Sequence, residues 1–113
     1  MNVALVALAA LALSTTSALA TPRVKSAEEC VAFADLALVA STLAKHGIAK
    51  DRASAMLPDM YNLASDDAQT IANDIVNAAY RPGHAEPKEF ANKLGTQCMR
   101  SGGMLDAVLG ESL

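Results

Sequence analysis

Apolar residues recur with the period of an α-helix along most of the chain beyond residue 25. Residues 26–29, Ser-Ala-Glu-Glu, have the pattern of a capping box, in which serine and glutamate satisfy backbone N–H groups of the first turn. They predict a first helix over residues 27–46, which Gly47 ends in the left-handed conformation. This helix is apolar around most of its circumference, which is typical of a helix at the centre of a bundle.

The second and third helices differ in how clearly the sequence predicts them. Asp51 is expected to cap a second helix whose apolar positions continue to Met60, and Pro58 is expected to kink or end it. A third helix over residues 68–80 has apolar residues at i, i+3, i+4 and i+7 throughout. Two aspartates precede it, where the helix dipole favours negative charge.

The fourth helix follows a turn at residues 81–86 that is built around Pro-Gly. Pro87 suits the first helical position, because its missing N–H would be unpaired there anyway. We expect this helix to run to residue 101, where a Gly-Gly pair ends it. The apolar tail over residues 104–113 is then expected to dock on the other helices.

The chain contains two cysteines, Cys30 and Cys98, which are predicted to form a structural disulfide. They do not form a CxxC pair, so a thioredoxin-like redox centre has no support. If the four helices alternate in direction, Cys30 near the start of the first helix and Cys98 near the end of the fourth lie at the same end. The fold class predicted is therefore all-α: a four-helix up-down bundle with one disulfide linking the first and last helices.

The first twenty residues form a separate region, with an unbroken apolar run over residues 3–13 and an Ala-Leu-Ala segment ending at Ala20. This order predicts a signal peptide over residues 1–20 and an exported helical domain over residues 21–113, in the periplasm or secreted. The run is shorter than the roughly 20 residues that span a bilayer, so no membrane span is expected after cleavage. Because no Lys or Arg precedes the run, an uncleaved N-terminal anchor is the alternative.

Charged residues are mixed in sign along the chain, with 9 basic and 12 acidic side chains and a net charge of −3. No run of like charge forms a basic patch, so nucleic acid is excluded as a partner. Aromatic residues make up only 4% of the chain, so alanine and leucine are expected to form most of the core. That composition favours closely packed helices over a sheet.

Histidine and cysteine side chains do not combine into a predicted catalytic or metal site. His84 and Cys98 are separated by a fourteen-residue helical segment, about 21 Å, too far for a base to activate a thiol. Zinc would need three or four ligands, and the spacings of Cys30, Cys98, His46 and His84 match no finger or ribbon. We expect the two histidines to be solvated, with a weak surface pair between them as the alternative.

Carboxylates and methionines have structural explanations as well. Two acidic pairs lie at helix starts, where capping and the helix dipole account for them. Methionines are expected to fill gaps in the core, although Met56 and Met60, spaced i and i+4, allow Cu(I) binding as an alternative. We therefore predict no enzyme activity and no cofactor. The acidic residues are Asp66, Asp67, Glu86 and Glu89, and the other methionines near the C-terminus are Met99 and Met104.

Five residues are candidates for binding a partner protein. Val31 and Leu38 lie on the polar side of the first helix, one heptad apart, where the apolar tail or a partner is expected to cover them. Tyr80, Arg81 and His84 lie in or next to the Pro-Gly turn and form a candidate recognition surface. Tyr80 is more simply explained as a packed ring with its hydroxyl at the rim.

Several segments resemble small exported two-cysteine helical proteins of Gram-negative bacteria that are uncharacterised. The segments are a cysteine that opens an alanine-rich helix, then MYNLAS, IVNAAYRPG, EFANKLGTQCM and SGG, which together cover residues 30–103. The resemblance implies a structural role for these motifs and supplies no catalytic residues. In size, compartment, helicity and cysteine count the chain is also similar to the acid-stress periplasmic chaperones, an architectural likeness without a shared motif.

The function expected from these patterns is that of a non-enzymatic protein-binding factor of the envelope or of the secreted fraction, with an unidentified protein partner. Two alternatives stay open. One is a stress-responsive holdase chaperone, which would loosen and expose apolar surface at low pH. The other is a binder of a small ligand or of copper through methionines.

Overall fold

The computed structural model describes residues 21–84 and 86–109, and this part of the chain is helical and without strands. The predicted signal peptide and residues 110–113 of the tail lie outside the described residues. No helix in the described part is long and apolar enough to cross a membrane. The helices are α1 (Ala27–Lys45), α2 (Lys50–Met60), α3 (Asp66–Ala79), α4 (Pro87–Arg100) and the short α5 (Asp106–Leu109).

Helix α1 begins and ends with the predicted capping interactions. The Ser26 hydroxyl accepts a hydrogen bond from the Glu29 N–H at 3.1 Å, and the Glu29 carboxylate accepts one from the Lys25 N–H at 2.9 Å. At the other end Gly47 adopts φ +79°, and the Ile48 N–H donates to the Leu43 carbonyl at 3.0 Å. The capping box and the left-handed stop are therefore confirmed.

Two details of α2 and α3 differ from the expectation. Helix α2 starts at Lys50 with Ala49 as its cap residue and no side-chain cap, so the predicted capping by Asp51 is wrong. The helix continues through Pro58 and ends two residues later, at Met60. Ser65 caps α3 by accepting a hydrogen bond from the Ala68 N–H at 3.1 Å. This cap was not predicted, because only the two aspartates that follow Ser65 were considered.

The core surrounds α1, which packs most extensively on α4 and also contacts α3 and α2. Close approach of α1 and α4 depends on small residues: a Cβ added to Gly95 would lie 3.2 Å from the Ala34 Cβ. The disulfide joins these two helices at one end, and Lys45 pairs with Glu86 at 2.7 Å at the other, so the helices run antiparallel. The largest fully buried side chains are Leu36, Leu57, Ile75, Leu94 and Leu105.

The described part of the tail packs against α3 and α4, a position that the sequence did not predict. Gly102 and Gly103 both adopt positive φ, and the chain turns back so that α5 packs on α3 and α4. Leu105 is buried there, as are the last two residues of α5. Val31 stays 60% exposed and Leu38 half-buried, so the described part of the tail does not cover them as predicted. The glycine turn decides this, because it directs the tail away from the polar side of α1.

Candidate functional site

The Cys30–Cys98 disulfide is the predicted staple and not a reactive centre. Both cysteines are buried, their Cα atoms lie 5.7 Å apart, and neither thiol is free. Because both sulfurs are in the bond, the alternative of a thiol nucleophile fails in this state. The described residues also contain no group of three or more His, Cys, Asp or Glu side chains placed to hold a metal ion.

The three candidates from the Pro-Gly turn lie together in one cleft, which we call the His84 cleft. The last turns of α1 and α3, the turn itself and the start of α4 enclose it, with a volume of about 270 Å³. Its walls combine small apolar surfaces with polar and charged side chains. The cleft is lined by Ser41, Ala44, Lys45, Ala79, Tyr80, Arg81, His84, Glu86 and Pro87.

Tyr80 and His84 are held in the cleft by packing. The Tyr80 hydroxyl donates to the Ile48 carbonyl at 2.8 Å, as expected for a packed ring with its hydroxyl at the rim, and burial raises its pKa. The His84 ring meets Phe90 edge to face, with the ring centroids 4.3 Å apart. The expectation of a solvated His84 is therefore wrong, because Phe90 from α4 packs against the ring. His46, by contrast, is exposed as expected.

Two polar atoms of this cleft are buried without a hydrogen-bond partner among the described residues: the Ser41 Oγ and the His84 Nε2. Ser41 is only 4% exposed and is buried in α1 together with Ala37 and Ala40. Burial lowers the pKa of His84, and the positive charges of Arg81 and Lys93 lower it further. The imidazole is therefore neutral near pH 7, with one ring nitrogen able to donate and the other to accept.

Charges around the cleft are only partly compensated. The Lys45 ammonium and the Glu86 carboxylate neutralise each other through their ion pair. The Arg81 guanidinium donates through Nη2 to the Leu109 carbonyl at 2.6 Å, and within the described residues it has no carboxylate partner. The cleft thus presents a cationic side chain beside two unpaired polar atoms.

A second surface lies between α1 and α4 near the disulfide, and we call it the Val31 groove. Its volume is about 510 Å³, and its lining is mainly apolar. Val31 is 60% exposed and Met99 is 52% exposed. Residues lining the groove are Cys30, Val31, Ala34, Ala91, Asn92, Gly95, Thr96, Met99 and Arg100.

The remaining candidate residues, Leu38 and the methionines, do not join either of these two surfaces, except for Met99 in the Val31 groove. Leu38 lies in a shallow depression with Thr42 and the Lys45–Glu86 pair, apart from the Val31 groove. Met99 was expected to face the core beside Cys98, but adjacent helical residues point about 100° apart at 3.6 residues per turn, so it faces outward. The expected core role of the methionines is wrong, since four of them are exposed: Met56, Met60, Met99 and Met104.

Sequence reasoning missed three residues of the His84 cleft. Ser41 is the polar residue among the buried positions of α1, and a hydroxyl at such a position is the signal by which the sequence could have identified it. Lys45 and Glu86 lie 41 residues apart, and only the antiparallel packing of α1 and α4 brings them together.

The described fold and its surfaces define a small helical protein with an internal disulfide joining its first and fourth helices. No model of a protein family matches the chain, and neither the curated proteins nor the solved structures contain a significant match.

Proposed function

We propose that this is an exported, non-enzymatic protein that binds an amphipathic helix of a partner protein in the Val31 groove. The exposed apolar groove between α1 and α4 is the observation that carries the proposal. The proposal includes a relationship between this chain and the small exported two-cysteine proteins of Gram-negative bacteria that it resembles.

Export is supported by the disulfide and by the pattern of the first twenty residues. Disulfides persist in oxidising compartments such as the periplasm and the extracellular space and are rare in the cytosol. The apolar run that ends in Ala-Leu-Ala has the order of a secretory signal. These two features are independent of each other, and both favour a periplasmic or secreted protein.

The helices are proposed to form a four-helix up-down bundle, which gives the groove a rigid frame. Three contacts support alternating directions. Lys25, just before α1, pairs with Asp67 at the start of α3, at 3.8 Å, while Tyr80 after α3 reaches Ile48 after α1. Tyr61, at the end of α2, donates to the Asp35 carboxylate in the first half of α1. In this arrangement α1 and α3 run parallel to each other, and α2 and α4 run antiparallel to both. This is the helix order of an up-down bundle.

A helix fits the Val31 groove better than an extended peptide does. Small residues, Ala34, Ala91 and Gly95, form part of its lining and permit close approach of a helical backbone. The groove lies between two helices and offers no strand edge for an extended peptide to pair with, whereas helices commonly insert an apolar face into such grooves. Complete burial of an exposed valine side chain contributes about 1.5–3 kcal/mol, so Val31, which is 60% exposed, can contribute at most part of that amount.

Charge at the groove indicates the character of the partner. Arg100 lines one part of the groove and has no ion pair within the described residues. Asn92 and Thr96 are exposed nearby and provide polar contacts at the rim. We therefore propose a partner helix with an apolar face flanked by an acidic residue that pairs with Arg100.

Site-specific photo-crosslinking in the native envelope tests this function. A photoreactive residue replaces Asn92 at the groove, and as the matched control it replaces Asn77, an exposed asparagine of α3. We expect a partner to crosslink at Asn92 only, through a peptide with an amphipathic helical pattern. Equal crosslinking from both positions would contradict the proposal, as would a crosslinked peptide without that pattern.

Variants of the groove give a second measurement with the identified partner. Val31→Glu should weaken binding at least tenfold, because it places a charge in the apolar contact and repels the acidic partner. Thr70→Glu, at an exposed β-branched residue of α3, should bind as the unmodified protein does. Unchanged affinity of Val31→Glu would refute the proposed interface. The holdase and copper alternatives stay predictions, and the exposure of Met56 and Met60 is compatible with Cu(I) access.

A further inference from the structure

The His84 cleft contains a polar arrangement that the fold leaves unsatisfied. The Ser41 hydroxyl and the His84 Nε2 are both shielded from solvent, and neither has a partner in the described part of the chain. A buried polar atom without a partner loses its hydration and gains nothing in return, so native structures contain few of them. Both atoms belong to residues that line one cleft, so they are available to hydrogen-bond a molecule that enters it.

The charge of the cleft indicates which class of ligand it binds. Lys45 and Glu86 cancel each other, and the lowered pKa of His84 leaves its ring neutral near pH 7. Arg81 and the nearby Lys93, whose charges both lower the pKa of His84, therefore make the electrostatic potential of the cleft positive, which favours an anionic ligand. Guanidinium groups also match the planar geometry of a carboxylate.

We propose that the His84 cleft binds the carboxylate of a small organic acid, with Arg81 as the cation and Ser41 and His84 as hydrogen-bond donors. The Nε2–H tautomer of the neutral imidazole donates to one carboxylate oxygen, and the Ser41 hydroxyl donates to the carboxylate as well. This site is separate from the Val31 groove, which lies near the disulfide.

The apolar walls and the size of the cleft limit the rest of the ligand. Ala44, Ala79 and Pro87 contribute surfaces without hydrogen-bonding side chains, which suit a short aliphatic chain. The volume of about 270 Å³ lies just below the range of roughly 300–1,000 Å³ of common ligand pockets. A compact acid of a few carbon atoms fits this space, whereas a nucleotide does not.

The test uses the oxidised protein purified after expression of the full chain, titrated with acetate and with butyrate at constant ionic strength. Ligand binding is followed by NMR through the His84 ring signals and the Ser41 amide. A short peptide with blocked N-terminus and free C-terminal carboxylate forms a second arm, and inorganic phosphate and chloride serve as comparison anions. Saturable shifts at both residues with a free acid or with the peptide support the site and identify the source of the carboxylate.

Substitutions separate a binding role of Ser41 from a structural one. Ser41→Ala should lower the affinity for the carboxylate at least tenfold and raise the urea midpoint of the unliganded protein, because it removes an unpaired hydroxyl. Arg52→Gln, at an exposed arginine of α2, is the control and should change neither property. Absence of saturable shifts with every carboxylate, equal binding of phosphate, or a lowered urea midpoint for Ser41→Ala would overturn the proposal.

Discussion

Replacement of Gly103 by alanine is expected to destabilise the protein far more than the same change at its neighbour Gly102. Gly103 joins the segment before α1 to the end of α4 next to the disulfide: its N–H donates to the Cys98 carbonyl and its carbonyl accepts from the Val24 N–H, both at 2.8 Å. Its φ is +99°, and a Cβ added there would lie 2.8 Å from the Val24 carbonyl carbon and closer still to its oxygen.

The expected loss of unfolding free energy in Gly103→Ala can be estimated from the contacts that an added Cβ would disturb. A left-handed alanine costs about 1–2 kcal/mol in backbone strain. Relief of the clash requires Val24 to leave its position, which breaks a backbone hydrogen bond worth about 0.5–1.5 kcal/mol. It also exposes a side chain that is now 2% exposed, at up to about 1.5–3 kcal/mol. The total is about 3–6.5 kcal/mol, a large fraction of the 5–15 kcal/mol typical of a folded domain.

Gly102→Ala supplies the matched control. Gly102 also has positive φ, +68°, but an added Cβ would meet no atom within 4 Å. It should therefore lose only the strain energy, about 1–2 kcal/mol. Urea unfolding of the oxidised proteins, followed by circular dichroism, measures the difference between the two variants. Hydrogen exchange at the Val24 amide reports whether the contact has opened. Equal losses of stability, or an undiminished protection of Val24 in Gly103→Ala, would refute the reasoning.

Two further predictions concern the disulfide and the pH dependence of stability. The Cys30–Cys98 bond spans 68 residues, so in the chain-entropy model the double alanine variant should lose about 4 kcal/mol of unfolding free energy in urea titrations; a loss below about 1 kcal/mol would contradict that model here. The pKa of His84 is lowered in the folded state from the ordinary 6.5, chiefly by burial, so the unfolded chain binds a proton more readily. Stability should therefore be unaffected by this group well above pH 6.5 and should fall as the pH drops through 6.5 towards the folded-state pKa. His84→Gln should reduce that slope, and an unchanged slope in pH-dependent unfolding would show that other groups determine it.

The features that sequence predicted correctly are those determined locally or by simple counting. The capping box that ends in Glu29 and the left-handed Gly47 involve residues within a few positions of each other, so the pattern specifies them directly. The disulfide follows from two cysteines at matching ends of antiparallel helices. These constraints need no knowledge of how distant segments pack.

The features that sequence could not predict depend on contacts across the chain. The described part of the tail packs on α3 and α4 and not on Val31, because the Gly102–Gly103 turn sets its direction. The sequence shows that Ser41 lies in a helix but not that its hydroxyl lacks a partner, since serine in a helix commonly bonds a preceding carbonyl. Only the packed structure shows that this one has no partner in the described residues and lines the same cleft as His84.

The two ends of the molecule have opposite energetic roles. At one end the disulfide, worth about 4 kcal/mol, and the Val24–Gly103 hydrogen bond join the start of α1 to the end of α4. At the other end two buried polar atoms have no partner among the described residues, at a cost of about 1–3 kcal/mol each. These magnitudes are comparable, so the staple offsets the cost of the unsatisfied cleft. A protein selected for stability alone would place alanine at Ser41, and the hydroxyl is therefore best explained by the ligand that pairs with it.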